Sequence, residues 1–276
     1  MKKINGELKT GAVLVLIIIV MTLVSLFWTP FDPYQMDSAR RFLPPGAEHI
    51  LGTDNFGRDV FSRIMSGGAY TLLLAVCTVA ASAIAGTALG LTAGFAGGIL
   101  DQIVMRAMDA LSSFPGLLLA LVTTAVAGNN PFGLFFALHI LFIPGFTRVT
   151  RSAALQFKKA DFILAEKILG ASSTRIIFTH ILPNAAPSLL SAGVIGFSNA
   201  ILAEAAMSYL GLGIQPPVPS WGRMLSESQN YLYNAPWCAL APGFCILLSV
   251  LAFHCVGEGL RKGAVSENSS PRRVEN

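Results

Sequence analysis

Apolar residues dominate six long blocks that are separated by more polar segments. The blocks cover approximately residues 11–28, 70–96, 109–128, 131–147, 186–210 and 237–258. Each approaches the ~20 residues that a helix needs to cross a bilayer, whereas a soluble core would show short periodic stripes. The pattern therefore predicts an all-α membrane protein with six transmembrane helices. The second block is rich in Gly and Ala, which favours close helix packing in lipid.

The composition supports the membrane class. The 276 residues are 53% hydrophobic and 12% charged, whereas about 25% of the residues of a soluble domain are charged. Lys2, Lys3 and Lys9 precede the first block in the manner of a secretory signal peptide. Because the block is long and lacks small residues at a cleavage site, we expect it to remain as a signal anchor.

Lys and Arg are distributed unequally between the connecting segments. If the six spans alternate from a cytoplasmic N-terminus, fourteen of the 19 Lys and Arg residues fall on the inner side. The outer five are Arg40, Arg41, Arg58, Arg63 and Arg223. Because cytoplasmic loops carry the excess of Lys and Arg, we expect both termini to face the cytoplasm. The net charge of +4 is then explained by the Lys and Arg residues that set the membrane orientation. We therefore predict no nucleic-acid partner.

Motifs for catalysis are absent from the sequence. It contains no G-x-x-x-x-G-K-[ST] phosphate-binding loop, no H-E-x-x-H and no G-x-S-x-G. Its four cysteines, Cys77, Cys238, Cys245 and Cys255, lie in or beside predicted spans without metal-ligand spacing, which is typical of free thiols. We therefore predict a non-catalytic chain that does not hydrolyse ATP by itself and has no catalytic residue, metal site or cofactor.

Three polar side chains fall inside predicted spans. An acidic residue at the centre of a span costs about 2.5–3.5 kcal/mol, so Glu204 should face a partner or water. A pathway-lining role and a structural pairing role are both open for this residue. His139 and His254 are each expected to make one hydrogen bond to a neighbouring helix, with a place on an ion path as the alternative.

The segment "GLGIQPPVPSWGRML" is predicted to form an outer loop. Its residues Pro216, Pro217 and Pro219 should make it stiff and extended. We expect Trp221 to anchor the loop at the membrane interface. In the alternative interpretation, Trp221 and this loop belong to an outer gate or to a platform for a receptor, and the outer loop from residue 30 to about 63 serves likewise.

The longest cytoplasmic connection, residues 148–185, is predicted to contain short helices because unstructured loops of this length are uncommon. Residues 161–170 have helical periodicity. The stripe expected to pack on the spans consists of Phe162, Leu164, Ala165, Ile168 and Leu169. The face expected to point outward consists of Ile163, Glu166, Lys167 and Gly170.

A second short helix is predicted directly after the first. Gly170 should end the first helix, and Ser172 or Ser173 should cap the second. The second helix should continue through Arg175 to His180 and be limited by Pro183. Spacing alone leaves two interpretations open, a helical knuckle that projects from the membrane and an amphipathic segment that rests on the headgroups.

The stretch "LAEKILGASSTRIIFTHILPN", residues 164–184, resembles the cytoplasmic "EAA" loop of ABC importer permeases. That pattern is E-A-A, three residues, Gly, nine residues and I-x-L-P. Gly170 is the glycine, and "HILP" begins nine residues later. The chain departs from the pattern in having "LAE" for E-A-A and His180 for the isoleucine.

Further stretches extend this resemblance over nearly the whole chain. They are "LGTDNFGRDVFSRIMSGG", "DQIVMRAMDALSSFPGLLLAL", "ILAEAAMSYLGLGIQPPVPSWGRML" and "APWCALAPG". Together they are similar to permeases of the dipeptide, oligopeptide and nickel group. The order and length of these matches identify the chain as a member of the ABC importer permease family.

The resemblance implies a type I ABC importer permease fold in the bacterial cytoplasmic (inner) membrane. Its domains would be an N-terminal helix and outer loop (1–69), a five-helix core containing the coupling loop 148–185 (70–260), and a cytoplasmic tail (261–276). The implied partners are a second homologous permease in a heterodimer, two cytoplasmic ATPases, an extracytoplasmic solute-binding protein and membrane lipid. The implied ATPase-docking residues are Ile163, Glu166, Lys167, Gly170, Ala171 and Ser172.

The resemblance also indicates the cargo. Peptides are the first expectation, and nickel or a nickel chelate is the second.

The main rival from another class is a secondary transporter or channel driven by an ion gradient. Such proteins commonly contain inverted repeats, and this chain shows no convincing internal repeat.

Overall fold

The computed structural model describes residues 2–128 and 130–269, and its regular structure in these ranges is helical. Ten α-helices follow one another along the described ranges. They are α1 (Lys2–Ser25), α2 (Val60–Ala96), α3 (Gly98–Ser113), α4 (Gly116–Ala127), α5 (Pro131–Phe157), α6 (Asp161–Ile168), α7 (Ser173–Ile176), α8 (Leu182–Tyr209), α9 (Trp221–Ser228) and α10 (Trp237–Ser269).

Five helical segments in the described residues are long and apolar enough to cross a membrane. They are Leu8–Ser25, Val60–Ala96, Pro131–Phe157, Ser173–Tyr209 and Trp237–Arg261. The third predicted span, residues 109–128, is not one straight helix, because α3 and α4 meet there at an angle of 94°. The predicted count of six is reached only if this bent pair is one span.

The bend between α3 and α4 has a local cause. Phe114 is extended (φ −81°, ψ 139°), as expected for a residue before proline, since the Pro115 ring disfavours helical backbone at the preceding position. The twelve residues of α4 give a length of about 18 Å, well short of the ~30 Å hydrocarbon core. The sequence pattern merged these two short helices because both are apolar around the bend.

Several element boundaries also differ from the predictions. The helix α5 continues through the buried Pro144 to Phe157, ten residues past the predicted end at 147, so the polar connection is shorter than 148–185. The helix α2 begins at Val60 rather than near residue 70, and α10 runs to Ser269. The predicted tail therefore begins as helix, and residues 270–276 lie outside the described part of the chain.

The helices α2 and α5 make the most extensive helix contact in the described bundle. Gly86, Gly90 and Gly94 face α5 at intervals of one turn. A Cβ atom on Gly90 would lie 2.0 Å from the Thr150 Oγ1 atom and 2.4 Å from the Thr147 carbonyl oxygen. The Thr150 hydroxyl donates to the Phe146 carbonyl at 2.9 Å within its own helix. The prediction that Gly and Ala in the second block permit close packing is confirmed.

The chain direction defines two ends of the bundle. Residues 26–59 connect α1 to α2 at one end, which we call the loop end, and α9 packs there against α8 and α10. The α2 and α5 helices finish at the other end, where α6 and α7 lie, and we call this the knob end. Between the ends, Phe146 of α5, Phe197 and Ile201 of α8 and Trp221 belong to one buried core.

A buried ion cluster ties the loop end together. The Asp54 carboxylate accepts from Arg58 Nε at 2.7 Å and lies 3.5 Å from Arg63 Nη1. The Glu227 carboxylate of α9 binds Arg63 at 3.1 Å, Arg58 at 3.4 Å and Arg223 at 3.0 Å. Buried charges are tolerated when they are paired and hydrogen-bonded. The cluster therefore fixes α9 to the start of α2.

Substitution of Gly90 by Ala should destabilise the protein by about 2 kcal/mol, because the new methyl group overlaps Thr150 and the backbone of α5. Gly145→Ala is the matched control, since nothing lies within 4 Å of its Cβ position. The thermal unfolding midpoint of the detergent-purified chain should fall for Gly90→Ala and stay level or rise for Gly145→Ala. Equal midpoints for the two variants would contradict the packing assignment.

Substitution of Arg63 by Ala should cost about 3–5 kcal/mol, because it leaves Asp54 and Glu227 buried with fewer positive partners. Arg40→Ala is the control, since Arg40 pairs with Asp37 and Glu48 at the exposed surface, where an ion pair contributes about 0–1 kcal/mol. Limited proteolysis of the loop end checks this order of stability. Equal cleavage rates for the two variants would show that the buried cluster does not hold α9.

Candidate functional site

The knob, residues 158–176, is a compact projection at one end of the bundle. Its base is Ile163 of α6, which is 0% exposed and packs in one cluster with Leu91 of α2 and Ala154 of α5. Ile176 and Ile181 complete this cluster from the next helical segment. The burial of these apolar side chains fixes α6 and α7 against the ends of α2 and α5.

The turn at the tip of the knob is a Schellman motif. Gly170 has φ +81°, the left-handed conformation that favours glycine. The Ala171 N–H donates to the Glu166 carbonyl at 3.0 Å, and the Gly170 N–H donates to the Lys167 carbonyl at 3.1 Å. The Ser172 hydroxyl oxygen then accepts from the Arg175 N–H at 3.3 Å and caps α7. The predicted helix end at Gly170 and cap at Ser172 are confirmed.

The predicted faces of α6 are wrong. Ile163, expected to point outward, is fully buried, whereas Ile168 and Leu169, expected to pack on the spans, are 86% and 82% exposed. Phe162 and Leu164 are also exposed. In a short helix with apolar residues on nearly every side, periodicity does not select the buried face. Tertiary packing selects it, because Ile163 is buried in one cluster with Leu91 of α2 and Ala154 of α5.

Glu166 and Lys167 make side-chain contacts between the knob and neighbouring segments, although Lys167 is itself exposed. The Glu166 carboxylate lies 3.6 Å from His180 Nε2, which joins α6 to the following helical turn. The Lys167 ammonium lies 5.1 Å from the ring centroid of Phe95, at the end of α2. The outermost part of the knob therefore consists of Ile168, Leu169, Gly170 and the exposed Ser172, with Ala171 half-buried beside them.

The knob continues without interruption into a membrane-spanning helix. The expected stop at Pro183 is wrong, because residues 173–209 form one helical segment of 37 residues. A π-helical turn, Ile177–Ile181, precedes Pro183, and the Leu182 N–H donates to the Ile177 carbonyl five residues earlier. This wider turn accommodates a proline that lacks an N–H group. The tip at Gly170 is thus separated from α8 only by α7 and this turn.

Glu204 lies near the loop-end terminus of the same helix and is fully buried. Its carboxyl oxygens accept from the Ser208 hydroxyl at 2.6 Å and from the Thr71 hydroxyl at 3.3 Å. Thr71 belongs to α2, and its Oγ1 atom accepts from the Trp221 N–H at 3.3 Å. The requirement that this acidic side chain have a partner is met by hydroxyl groups of two helices, α8 and α2.

Trp221 is also fully buried, so the expected anchoring at the membrane interface is wrong. Its indole N–H donates to the Ile64 carbonyl at 2.9 Å, which binds the start of α9 to α2. The structure thus brings Glu204 and Trp221 together and separates both from the knob. His139 lies 3.2 Å from the Ser82 hydroxyl of α2, the interhelical contact that was expected. Among the described residues, no group of three His, Cys, Asp or Glu is placed to hold a metal ion.

Comparison with known proteins gives a family match and several sequence relatives. Residues 86–263 match the family "Binding-protein-dependent transport system inner membrane component". The chain is 39% identical to the dipeptide transport system permease protein DppC of Alkalihalophilus pseudofirmus, over 91% of this chain and 83% of that protein. It is 37% identical to the di/tripeptide permease DppC of Pseudomonas aeruginosa, over 91% and 85%. It is 38% identical to the glutathione permease GsiD of Pectobacterium atrosepticum, over 90% and 82%.

The fold has a solved counterpart. A chain of the inward-facing MetNI methionine ABC transporter superposes with a TM-score of 0.54 and 18% identity, over 70% of this chain and 94% of that one. At this identity the likeness shows the fold, and the family match and the sequence relatives show descent. This multi-pass chain therefore belongs to the family of inner membrane components of binding-protein-dependent transport systems, the permeases that its sequence motifs resemble.

Proposed function

We propose that this permease imports peptides and that its knob docks a cytoplasmic ATPase. The observation that carries the proposal is the knob tip, where Ile168 and Leu169 are exposed beside the left-handed Gly170 at the start of a 37-residue helix. Exposed apolar side chains on a rigid projection are typical of a protein contact. Peptides are supported as cargo by the names of the relatives, which transport dipeptides, tripeptides or glutathione.

The chemistry of the knob favours insertion into a cleft of the partner. Gly170 has nothing within 4 Å of its Cβ position, so another backbone can approach it closely. Ile168, Leu169, Ala171 and Ser172 surround this point with small or apolar groups. Glu166 and Lys167 act by holding the knob in shape, and Ile163 acts as its buried root rather than as a docking residue.

The remaining partners follow from the same proposal. The chain has no phosphate-binding loop, so two separate ATPases would supply the energy from the cytoplasm. The distribution of Lys and Arg favours a cytoplasmic knob end and cytoplasmic termini. A second homologous permease would complete the pathway, and a solute-binding protein would deliver the cargo at the loop end. Closure of the ATPase pair would then rock α8 and alternate the access to a central cavity.

Replacement of Leu169 by Arg should weaken retention of the ATPases by at least roughly tenfold, because a charged side chain replaces an exposed apolar contact. The matched control is Leu210→Arg, which changes an exposed leucine just beyond the loop-end terminus of α8. The measurement is co-purification of ATPase subunits with the tagged permease. Equal retention in both variants would remove the knob tip from the docking surface.

Cells that contain this permease with its partner subunits should take up radiolabelled dialanine, and cells that lack only this chain should not. Uptake should stop when ATP is depleted by arsenate and should persist when a protonophore removes the proton gradient. The reverse pattern would indicate a gradient-driven transporter. Uptake of labelled nickel, but not of the dipeptide, would overturn the assignment of peptides as cargo.

A further inference from the structure

The polar groups around Glu204 form a hydrogen-bonded network that has no part in the proposed ATPase docking. Glu204 and Ser208 belong to α8, Thr71 belongs to α2, and Trp221 begins α9. The four residues are each 0% exposed. We call this network the Glu204 clasp.

Thr71 is the central member of the clasp. Its hydroxyl donates to Glu204 Oε2 at 3.3 Å, and the same oxygen accepts from the Trp221 N–H at 3.3 Å. A hydroxyl group can donate and accept at once. Thr71 of α2 therefore links Glu204 of α8 to the backbone at the start of α9.

The 211–224 segment packs tightly beside the clasp. A Cβ atom on Gly68 would lie 2.8 Å from the Trp221 ring, and one on Gly222 would lie 2.6 Å from the Ala205 Cα atom. A Cβ atom on Gly213 would lie 1.7 Å from the Ser208 hydroxyl oxygen. The 211–224 segment is therefore pressed against α2 and α8. Interiors packed in this way transmit displacement instead of absorbing it.

One helical segment connects the knob to the clasp. The helical segment Ser173–Tyr209 has 37 residues, which gives a length of about 55 Å at 1.5 Å per residue. Its first residues follow the knob tip, and Glu204 lies in its last two turns. Continuous helical backbone thus connects the knob end to the clasp.

We propose that the Glu204 clasp is the positioning device that makes the 211–224 segment move together with α8 when the ATPases act on the knob. The inference rests on the proposed function, because it requires ATP-driven movement of the knob. Glu204 is a positioning residue in this scheme. It binds no cargo, and it holds the 211–224 segment to the helix that is driven from the knob.

The test compares Glu204→Ala, Glu204→Gln and Thr71→Val in the complete complex reconstituted in proteoliposomes. Alanine removes both acceptor oxygens, and valine removes the bridging hydroxyl at nearly constant volume. Glutamine retains one acceptor oxygen and should rescue part of the function. The control is Thr92→Val, also on α2, whose exposed hydroxyl bonds only to carbonyl groups of its own helix.

The first measurement is dialanine uptake per ATP hydrolysed. Glu204→Ala and Thr71→Val should lower this ratio by about tenfold, the effect of about one lost buried hydrogen bond. The ATPase activity without receptor should stay close to that of the parent complex, because the knob is unchanged. Glu204→Gln should lie between these variants and the parent, and Thr92→Val should equal the parent.

The second measurement detects the movement itself. Met224 is buried in α9 outside the clasp, and Met224→Cys reports access to this helix through labelling by a membrane-impermeant maleimide. In the parent background, the labelling rate should differ between the nucleotide-free complex and the vanadate-trapped complex. Thr71→Val should abolish that difference while ATP hydrolysis continues.

The outcomes separate the two proposals. Full coupling and an unchanged labelling difference in Thr71→Val would overturn the role of the clasp. If Glu204→Ala does not assemble, Thr71→Val decides the question by itself, since it removes a single hydroxyl. A parent complex that shows no ATP-dependent uptake would instead contradict the proposed function.

Discussion

The close contact between the backbones of α2 and α5 determines where the other parts of this permease lie. Three glycines of α2, Gly86, Gly90 and Gly94, bring the two helices together without a gap. In lipid there is no hydrophobic force between helices, so such close packing is the main source of their association. The contact leaves Leu91 and Ala154 side by side at the knob end. This pair forms the surface on which the root of the knob, Ile163, is buried.

Charged side chains make contacts at both ends of the described bundle. At the loop end, Asp54 and Glu227 with their arginine partners hold α9 to the start of α2. At the knob end, the Glu166 carboxylate lies 3.6 Å from His180, and the Lys167 ammonium lies over the Phe95 ring. The segment Ser173–Tyr209 joins the two ends. A force applied at the knob tip therefore has a continuous path to the loop end.

The sequence predicted the local features of this arrangement well. The helix end at Gly170, the cap at Ser172 and the small residues of α2 follow from glycine conformation, hydroxyl capping and side-chain volume. These properties depend on a few neighbouring residues. The family was also predictable, because several long motifs occur in the same order. That Glu204 should face a partner or water was predicted from the cost of placing a carboxyl group in a membrane span.

The main failures concern choices made by tertiary contacts. The face of α6 was reversed because its apolar residues surround the helix, and only the ends of α2 and α5 select Ile163. The continuation through Pro183 depends on a π turn that spacing does not reveal. The burial of Trp221 depends on Gly68 and Ile64, which are distant in the sequence. The merged third span hid a 94° bend between two short helices.

The central claim is that the exposed knob tip touches the ATPase that drives transport. The most direct measurement is cross-linking from Leu169→Cys, carrying a maleimide-benzophenone reagent, in membranes that contain the assembled transporter. Irradiation should join the permease to an ATPase subunit, and Leu210→Cys, at the opposite end of the segment, should give no such product. The account would be contradicted if Leu169→Cys gave no ATPase adduct, or if Leu210→Cys gave the same adduct.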